Sequence, residues 1–336
     1  MSLEIEALER IFDELPLPAG EEEARHYSVI SVADLEEVCI GKDGLGRATL
    51  LLSSDGLPTE HYAPLRLERL EVHYNIPCVV HEPSNVRTRR FTIVRCTSAI
   101  LTPYFLRVCM LIVSSFGGRL NAAAILERIN RLVDLFQALT RPAQGSTQGL
   151  WAELFLVALS SDPAQLVRMW RADPADRFDF ASGAQRVEVK STTGYEREHH
   201  FSLPQLRPSS TLDVVIASLF VERSGGGRSL QDLIDEIITR VGAAAEEALC
   251  VEQIAAETLG VGYQRGVQER FDYEHAKATL CYFAASALPA VSPELPPEVS
   301  DVRFVVDCSE VPPLHLSELH SRGGMFSLLP GLDPLK

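Results

Sequence analysis

Three acidic residues and one lysine carry the most informative pattern in this chain of 336 residues. The stretch Arg177-Phe178-Asp179-Phe180 is followed by Val187-Glu188-Val189-Lys190-Ser191-Thr192. On a β-strand, side chains alternate between faces. Glu188 and Lys190 then share one face, and Val187 and Val189 face the core. A tight hairpin through Ser182-Gly183-Ala184 brings Asp179 beside Glu188. Two carboxylates held close together repel unless a cation sits between them. Magnesium suits such a pair: it takes oxygen ligands, keeps several waters and uses one or two carboxylates. A neighbouring lysine orients or helps deprotonate a water and stabilises charge on a phosphate. Glu153, on an apolar helical segment upstream, is placed to complete the ligand set. The plainer reading is an edge-strand ion pair of Glu188 with Lys190, worth about 0–1 kcal/mol, with Asp179 capping a turn. Composition alone yields roughly half an acid-x-Lys triplet by chance. The triplet therefore gains its weight from the apolar strand, the Phe-flanked Asp179 and the helix that bears Glu153.

The elements around these residues follow from apolar spacing. Residues 148–159 are predicted as a helix with Leu150, Leu154 and Val157 on its buried stripe, and with Ser146 or Thr147 near its N-cap. Strands are predicted at about 177–181, 186–192 and 199–203. The continuous apolar run 213–222 reads as a buried strand, 224–227 as a turn, and 229–241 as a helix with Ser229 and Asp232 in a capping box. Helices follow at about 244–259 and 272–285, then a Pro-rich linker at 289–297 and a last strand at 302–307. Upstream, Leu8, Ile11, Phe12 and Leu15 mark a helix over residues 3–15. Strands are expected at 48–52, 70–81, 90–96 and 104–115, separated by turn signals at 54–56 and 82–85. Residues 27–116 thus read as a mainly antiparallel β-domain ended by Gly117-Gly118, with a helix at 121–139. The polar loop 141–148 is the expected boundary. It divides the chain into a β-rich domain, 1–145, for DNA or partner contact, and an α/β domain, 146–336, with a mixed sheet.

The order helix, strand, strand, strand, helix or loop, strand resembles the PD-(D/E)XK nuclease superfamily, whose core is an α-β-β-β-α-β unit. Asp179 and Glu188-Val189-Lys190 stand where that motif stands, with Phe178 in place of the Pro that is variable there. More narrowly, Gly149-Leu150-x-x-Glu153-Leu154, Phe178-Asp179-Phe180, Glu188-Val189-Lys190-Ser191-Thr192 and His199-His200-Phe201-Ser202-Leu203-x-Gln205-Leu206 resemble a bacterial PD-(D/E)XK-like family encoded near restriction-modification or phage-defence genes. The likeness is strongest over residues 148–206. It implies metal-assisted hydrolysis of a phosphodiester. Asp179, Glu188 and the carbonyl of Val189 would hold one or two magnesium ions, for which manganese substitutes. Glu153 would be a ligand directly or through water, and Lys190 would position the attacking water. The expected activity is a DNA endonuclease of restriction or phage-defence type. The alternatives are a noncatalytic DNA- or protein-binding subunit of a defence complex, and a repair or structure-specific nuclease.

The overall composition is that of a soluble globular protein, 46% apolar and 23% charged. The longest apolar run, 108–116, falls far short of the ~20 residues of a membrane span. The N-terminus shows no signal-peptide pattern, and seven scattered cysteines without a C-x-x-C pair argue for a reducing cytoplasm. A net charge of -15 argues against nonspecific coating of nucleic acid. That charge is uneven. Residues 1–60 hold 4 basic and 14 acidic side chains, whereas 61–145 hold 11 and 5. The expected partners are DNA, proteins of a restriction or defence operon, and a second copy of the chain in a homodimer; no membrane is involved.

Candidate DNA contacts are the Arg87, Arg89, Arg90, Arg95 cluster, whose other reading is a charged strand edge, together with Ser191, Arg197 and His200. Of the adjacent pair His199 and His200, one should face the site and the other away. Gly225-Gly226-Gly227 lacks the Lys-Ser/Thr of a phosphate-binding loop. Cys96 and Cys109 read as core residues.

Overall fold

The computed structural model describes residues 5–19, 25–32, 37–53, 62–83, 85–115, 122–172, 176–291, 296 and 298–331. The chain divides into two compact units, Met1–Arg141 and Pro142–Lys336. The division falls inside the polar loop at 141–148.

The first unit opens with the amphipathic helix α1 (Ile5–Glu14), which buries Leu8 and Phe12. Six strands follow: β1 (His26–Ser31), β2 (Val38–Asp43), β3 (Ala48–Ser53), β4 (Leu65–Arg66), β5 (Leu70–Glu82) and β6 (Asn85–Cys96). They hydrogen-bond in the order β1-β2-β3-β6-β5-β4. Long β5 serves two partners on the edge opposite β6. Near its start it pairs antiparallel with β4, and near its end it pairs parallel with β1, from His26↔Val79 to Ser28↔His81. The second pairing closes β1, β2, β3, β6 and β5 into a ring, which protects edges that would otherwise be open. Tyr27, Val29, Cys39, Leu51, Cys78, Val80, Phe91 and Ile93 pack into one core cluster. Gly41 is needed where β1 crosses β2, because a Cβ there would lie 2.0 Å from the carbonyl oxygen of Ser28.

Two helices, α2 (Thr102–Ser114) and α3 (Ala122–Ala138), complete this unit. The strand expected at 104–115 is therefore corrected to a helix. Nine of its residues are buried, Tyr104 to Arg107's neighbours included, so it shows little periodicity. An apolar run of this kind does not separate a strand from a buried helix; Pro103 in its first turn decides for helix. The antiparallel strands accordingly end at Cys96, not at 116. The turn at 54–56 and Gly117-Gly118 lie outside the described residues, as does Ser84 of the turn at 82–85.

The second unit begins with α4 (Thr147–Leu159), capped by the Ser146 side chain, which accepts from the Gly149 amide. Every residue from Leu150 to Ala158 is buried, so the expected stripe is in fact the whole circumference. Helix α5 (Pro163–Met169), unpredicted, follows with Asp162 as its N-cap and Pro163 in its first turn. Strands β7 (Phe180–Ser182), β8 (Gln185–Thr192) and β9 (Glu198–Ser202) lead to the short α6 (Leu203–Leu206) and to β10 (Asp213–Phe220). Then come β11 (Arg223–Ser229), α7 (Leu230–Val241), α8 (Ala245–Leu259), α9 (Tyr263–Gly266), β12 (Arg270–Phe271), α10 (Tyr273–Thr279), β13 (Cys281–Ala284), β14 (Arg303–Asp307) and α11 (Leu316–Ser321). The predicted capping box of Ser229 with Asp232 is present at the start of α7.

One expectation is refined and one corrected. Residues 224–227 fall within the span of β11, but Arg223 and Arg228 both stand opposite Phe271 of β12, so the chain loops out between them where the turn is expected; the helix expected over 272–285 stops at Thr279 and turns into β13. The main sheet is mixed, in the order β13-β10-β8-β7. β10 runs parallel to β8, from Asp213↔Gln185 to Phe220↔Thr192, and β7 and β13 are antiparallel to their neighbours. β9 pairs separately with β14. Phe178, Phe201, Leu206, Val214, Ile216 and Phe283 belong to one core cluster. Among the described residues, no helix is long and apolar enough to cross a membrane.

Candidate active site

The site is built on β8, flanked by β7 and β10. Alternation puts Arg186, Glu188 and Lys190 on one face and buries Val187 on the other. Strand partners project to the same side, so Glu188 lies beside Ile216 of β10 and Lys190 beside Ser218. The β7–β8 hairpin turns at Gly183, whose φ of +54° is open to glycine at little cost. Its register runs from Ser182↔Gln185 to Phe180↔Val187. One step further, Asp179 stands at the level of Glu188, as the sequence predicts. There β7 has ended, and the Asp179 carboxylate takes over as acceptor: Val189 N–H donates to Asp179 Oδ2 at 2.7 Å.

Glu188 is buried. Its Oε1 accepts from Gln205 Nε2 at 2.6 Å and is paired with Lys190 Nζ, also at 2.6 Å. Its Oε2 is buried with no hydrogen-bond partner among the described residues. Lys190 is 20% exposed and lies over the Phe201 ring, 5.3 Å from the centroid.

Glu153 comes from α4. It too is buried, and both oxygens are engaged. Trp170 Nε1 donates to Oε2 at 2.6 Å, and Arg171 reaches Oε2 with Nε and Oε1 with Nη2, at 3.2 and 2.9 Å. Arg171 also donates from its backbone N–H to the carbonyl of Asp179 at 2.8 Å and from Nη1 to Thr258 Oγ1. Its φ of +46° is unusual for a residue with a side chain and is held by these contacts.

These positions explain the acidities. Burial, then repulsion from Glu153 and Glu188, pushes the Asp179 carboxyl well above the ordinary carboxylate range, against the pull of the Val189 amide and Arg171. Burial likewise raises Glu188, assisted by Glu153 and opposed by Lys190 and Gln205. The three carboxylates therefore feel one another.

Among the described residues, no group of three or more His, Cys, Asp or Glu side chains is arranged as a ready metal cage. The donors nonetheless suit a hard divalent ion that uses two carboxylates and several waters. Glu188 Oε2 is an orphaned buried oxygen, and Asp179 carries charge that its surroundings disfavour. Direct ligation by Glu153 would require Arg171 to let go of it, so contact through water fits its present bonds better.

The remaining candidates divide. Ser191 stays at the site, its carbonyl and hydroxyl oxygens accepting from Gln148 Nε2 at 3.2 and 3.1 Å. His199 faces inward, with Nε2 2.8 Å from Ser218 Oγ, and His200 is exposed, as the pair predicts. Burial, with the nearby Lys190, lowers the His199 pKa to about 4. Two arginines are corrected. Arg197 bonds the carbonyl and hydroxyl oxygens of Ser218 and the carbonyl of Thr279, and stacks on Phe220, so its guanidinium is internal. Arg95 is buried in the first unit, paired with Asp43 and Glu71 and donating to Tyr27 Oη, and is withdrawn as a DNA contact. Arg87 pairs with Glu82, and exposed Arg90 donates to Asn75 Oδ1; Arg89 is half-buried on the same strand. Cys96 and Cys109 are buried, as expected.

Two residues at the site, Trp170 and Arg171, were not named from sequence, and Gln205 stood only within the family-like string, with no role of its own. Of the three, Gln205 also had a local signal, since Ser202-x-x-Gln205 is a capping-box spacing. No curated protein and no solved structure matches the chain. A family model described as "Putative PD-(D/E)XK family member, (DUF4420)" matches residues 8–309. That match covers about nine-tenths of the sequence, both units included, and the chain belongs to this PD-(D/E)XK family.

Proposed function

We propose that this chain is a metal-dependent nuclease that hydrolyses DNA phosphodiester bonds, with magnesium as its ion and manganese as a substitute, in restriction or phage defence. The observation that carries the proposal is Asp179, held at the level of Glu188 by the Val189 amide, beside Lys190, with Glu188 Oε2 buried and without a hydrogen-bond partner among the described residues. Family membership supports nuclease chemistry at a coarse level. Magnesium bound there would polarise the phosphate and lower the pKa of a water. Asp179 and Glu188, with the carbonyl of Val189, would hold the ion. Val189 N–H fixes the rotamer of Asp179, and Gln205 fixes that of Glu188. Lys190 is within reach of any water or phosphate oxygen that Glu188 helps to place. Glu153 adds negative charge behind the pair, moderated by Arg171.

A second reading is favoured by a specific feature. Lys190 already neutralises Glu188, and Arg171 already neutralises Glu153. A noncatalytic DNA- or protein-binding subunit needs no more than that. The strongly acidic residues 1–60 support a protein partner in either case.

The test is incubation of purified protein with methylated and unmethylated plasmids and magnesium, beside Lys190→Ala. Cleavage by wild type that is lost in the variant supports the nuclease. Cleavage that survives Lys190→Ala, or none by wild type on any DNA, overturns it.

A further inference from the structure

A groove of about 350 Å³ lies beside the carboxylates, on the second unit, and is lined by Asp176, Arg177, Arg186, Arg207 and Ser209 among others. Its position is fixed by the site itself. Arg186 precedes Glu188 by two residues on the same face of β8, about 6.6 Å along the strand. Gln205 bonds Glu188 with the same Nε2 that reaches the carbonyl of Arg177 at 3.3 Å. Arg177 stands two residues before Asp179, and Arg207 two residues after Gln205.

The charges are unequally used. Arg186 is anchored: its Nε pairs with Asp176 Oδ2 at 2.7 Å, and its Nη1 donates to the carbonyls of Gly183 and Gln185. Arg177 and Arg207 are both exposed, and neither has a carboxylate partner among the described residues. One acid therefore faces three arginines, in a chain whose net charge is -15. Unpaired guanidiniums held in a concave surface match a phosphate, whose oxygens accept two parallel N–H bonds.

We propose that this groove holds a backbone phosphate of the nucleic-acid strand that enters the carboxylate site, with Arg177 and Arg207 as the contacting residues and Arg186 as their anchored support. The ligand class is a polynucleotide, since Arg186 at the groove and Glu188 at the site lie about 6.6 Å apart along β8, close to the spacing of successive phosphates on a strand. This inference rests on the nuclease reading for its ligand, but binding and cleavage are separately measurable.

The experiment is fluorescence anisotropy of a labelled DNA duplex without magnesium, over a range of salt, for wild type, Arg177→Gln/Arg207→Gln and Arg223→Gln. Gln keeps the side chains polar and exposed, so folding is preserved; a thermal melt checks this. The double variant is expected to bind about tenfold more weakly at moderate salt. Its log–log salt slope should be shallower by about 0.9, the value for one lost phosphate contact. Arg223→Gln, at an exposed arginine outside the groove that is paired with Glu269, should keep the wild-type slope. Inorganic phosphate at matched ionic strength should compete no better than chloride; strong competition would mean that the groove takes free phosphate instead of a strand. An unchanged slope in the double variant, or no binding by wild type, overturns the proposal. Cleavage by wild type with an unchanged slope would remove the groove and leave the nuclease, and a changed slope without cleavage would do the reverse.

Discussion

Gln205 donates to Glu188 Oε1 at 2.6 Å while its own Oε1 accepts from the amide of Ser202. A helix cap and a catalytic candidate are thereby locked to one side chain. Gln205→Ala removes both bonds and leaves a buried carboxylate with Lys190 alone on that oxygen. The loss is expected to cost about 1–3 kcal/mol, a fall in Tm of about 2–4 °C per kcal/mol for a unit of this size. The magnesium concentration for half-maximal cleavage should also rise, because Glu188 is no longer held in one rotamer. A thermal melt and a magnesium titration of cleavage check the two effects. Gln205→Glu should be worse than Ala for cleavage, since it sets a further acid beside Glu188.

Asp179 has its pKa raised in the folded chain, chiefly by burial and by Glu153 and Glu188. The folded state then binds this proton more tightly than the unfolded chain does. Its contribution to stability is fully present below the ordinary carboxylate pKa and is lost as pH rises through the folded value. Asp179→Asn keeps an oxygen for the Val189 amide and removes the charge. Its metal-free Tm at neutral pH is expected to exceed that of wild type by about 2–4 °C, the equivalent of about 1 kcal/mol, with the gap closing in acid. Magnesium should raise the wild-type Tm and not that of the variant. Melts across pH, with and without magnesium, measure this; a variant less stable than wild type at neutral pH would contradict the charge repulsion described above.

How much of this was legible in the sequence depended on whether the signal was local. The Asp179–Glu188 pairing follows from strand alternation and a short Gly183 turn, both read within fifteen residues. The Ser229–Asp232 box and the helix bearing Glu153 are likewise local patterns. The helix at Thr102–Ser114 was misread because burial on all sides erased its period. Arg95 and Arg197 were misread for a related reason. A sequence shows that an arginine is present, but not that Asp43 and Glu71 close round it from other strands, or that Ser218 and Thr279 do so. Arg171 was invisible because its value lies in a contact with Glu153, eighteen residues away on another element.

Arg171 and Glu153 form a pair whose members are costly to separate. Removing one partner of a buried ion pair typically costs about 3–5 kcal/mol, since it strands the other charge. Arg171 is partly exposed, which reduces the figure. Arg171→Ala is therefore expected to destabilise the second unit by about 2–3 kcal/mol, whereas Arg171→Ala combined with Glu153→Gln should recover part of the loss. The double-mutant cycle in urea denaturation gives the coupling. Additive effects would mean that the bidentate contact adds nothing to stability.

His199 is buried neutral, with its pKa lowered to about 4 by burial and by the nearby charge of Lys190. In the unfolded chain a histidine takes up its proton near pH 6.5. As pH falls from about 6.5 towards 4, the unfolded state gains a proton that the folded state refuses, so stability is present above this window and is lost through it. A shift of this size corresponds to a loss of about 3 kcal/mol across the window. His199→Gln keeps a polar group for Ser218 Oγ and has no proton to gain there. Its stability at neutral pH should lie within about 1–2 kcal/mol of wild type, and its decline between neutral pH and pH about 4.5 should be shallower. Urea midpoints at a series of pH values decide the matter. A variant that loses stability in acid as steeply as wild type would assign the acid sensitivity to another group.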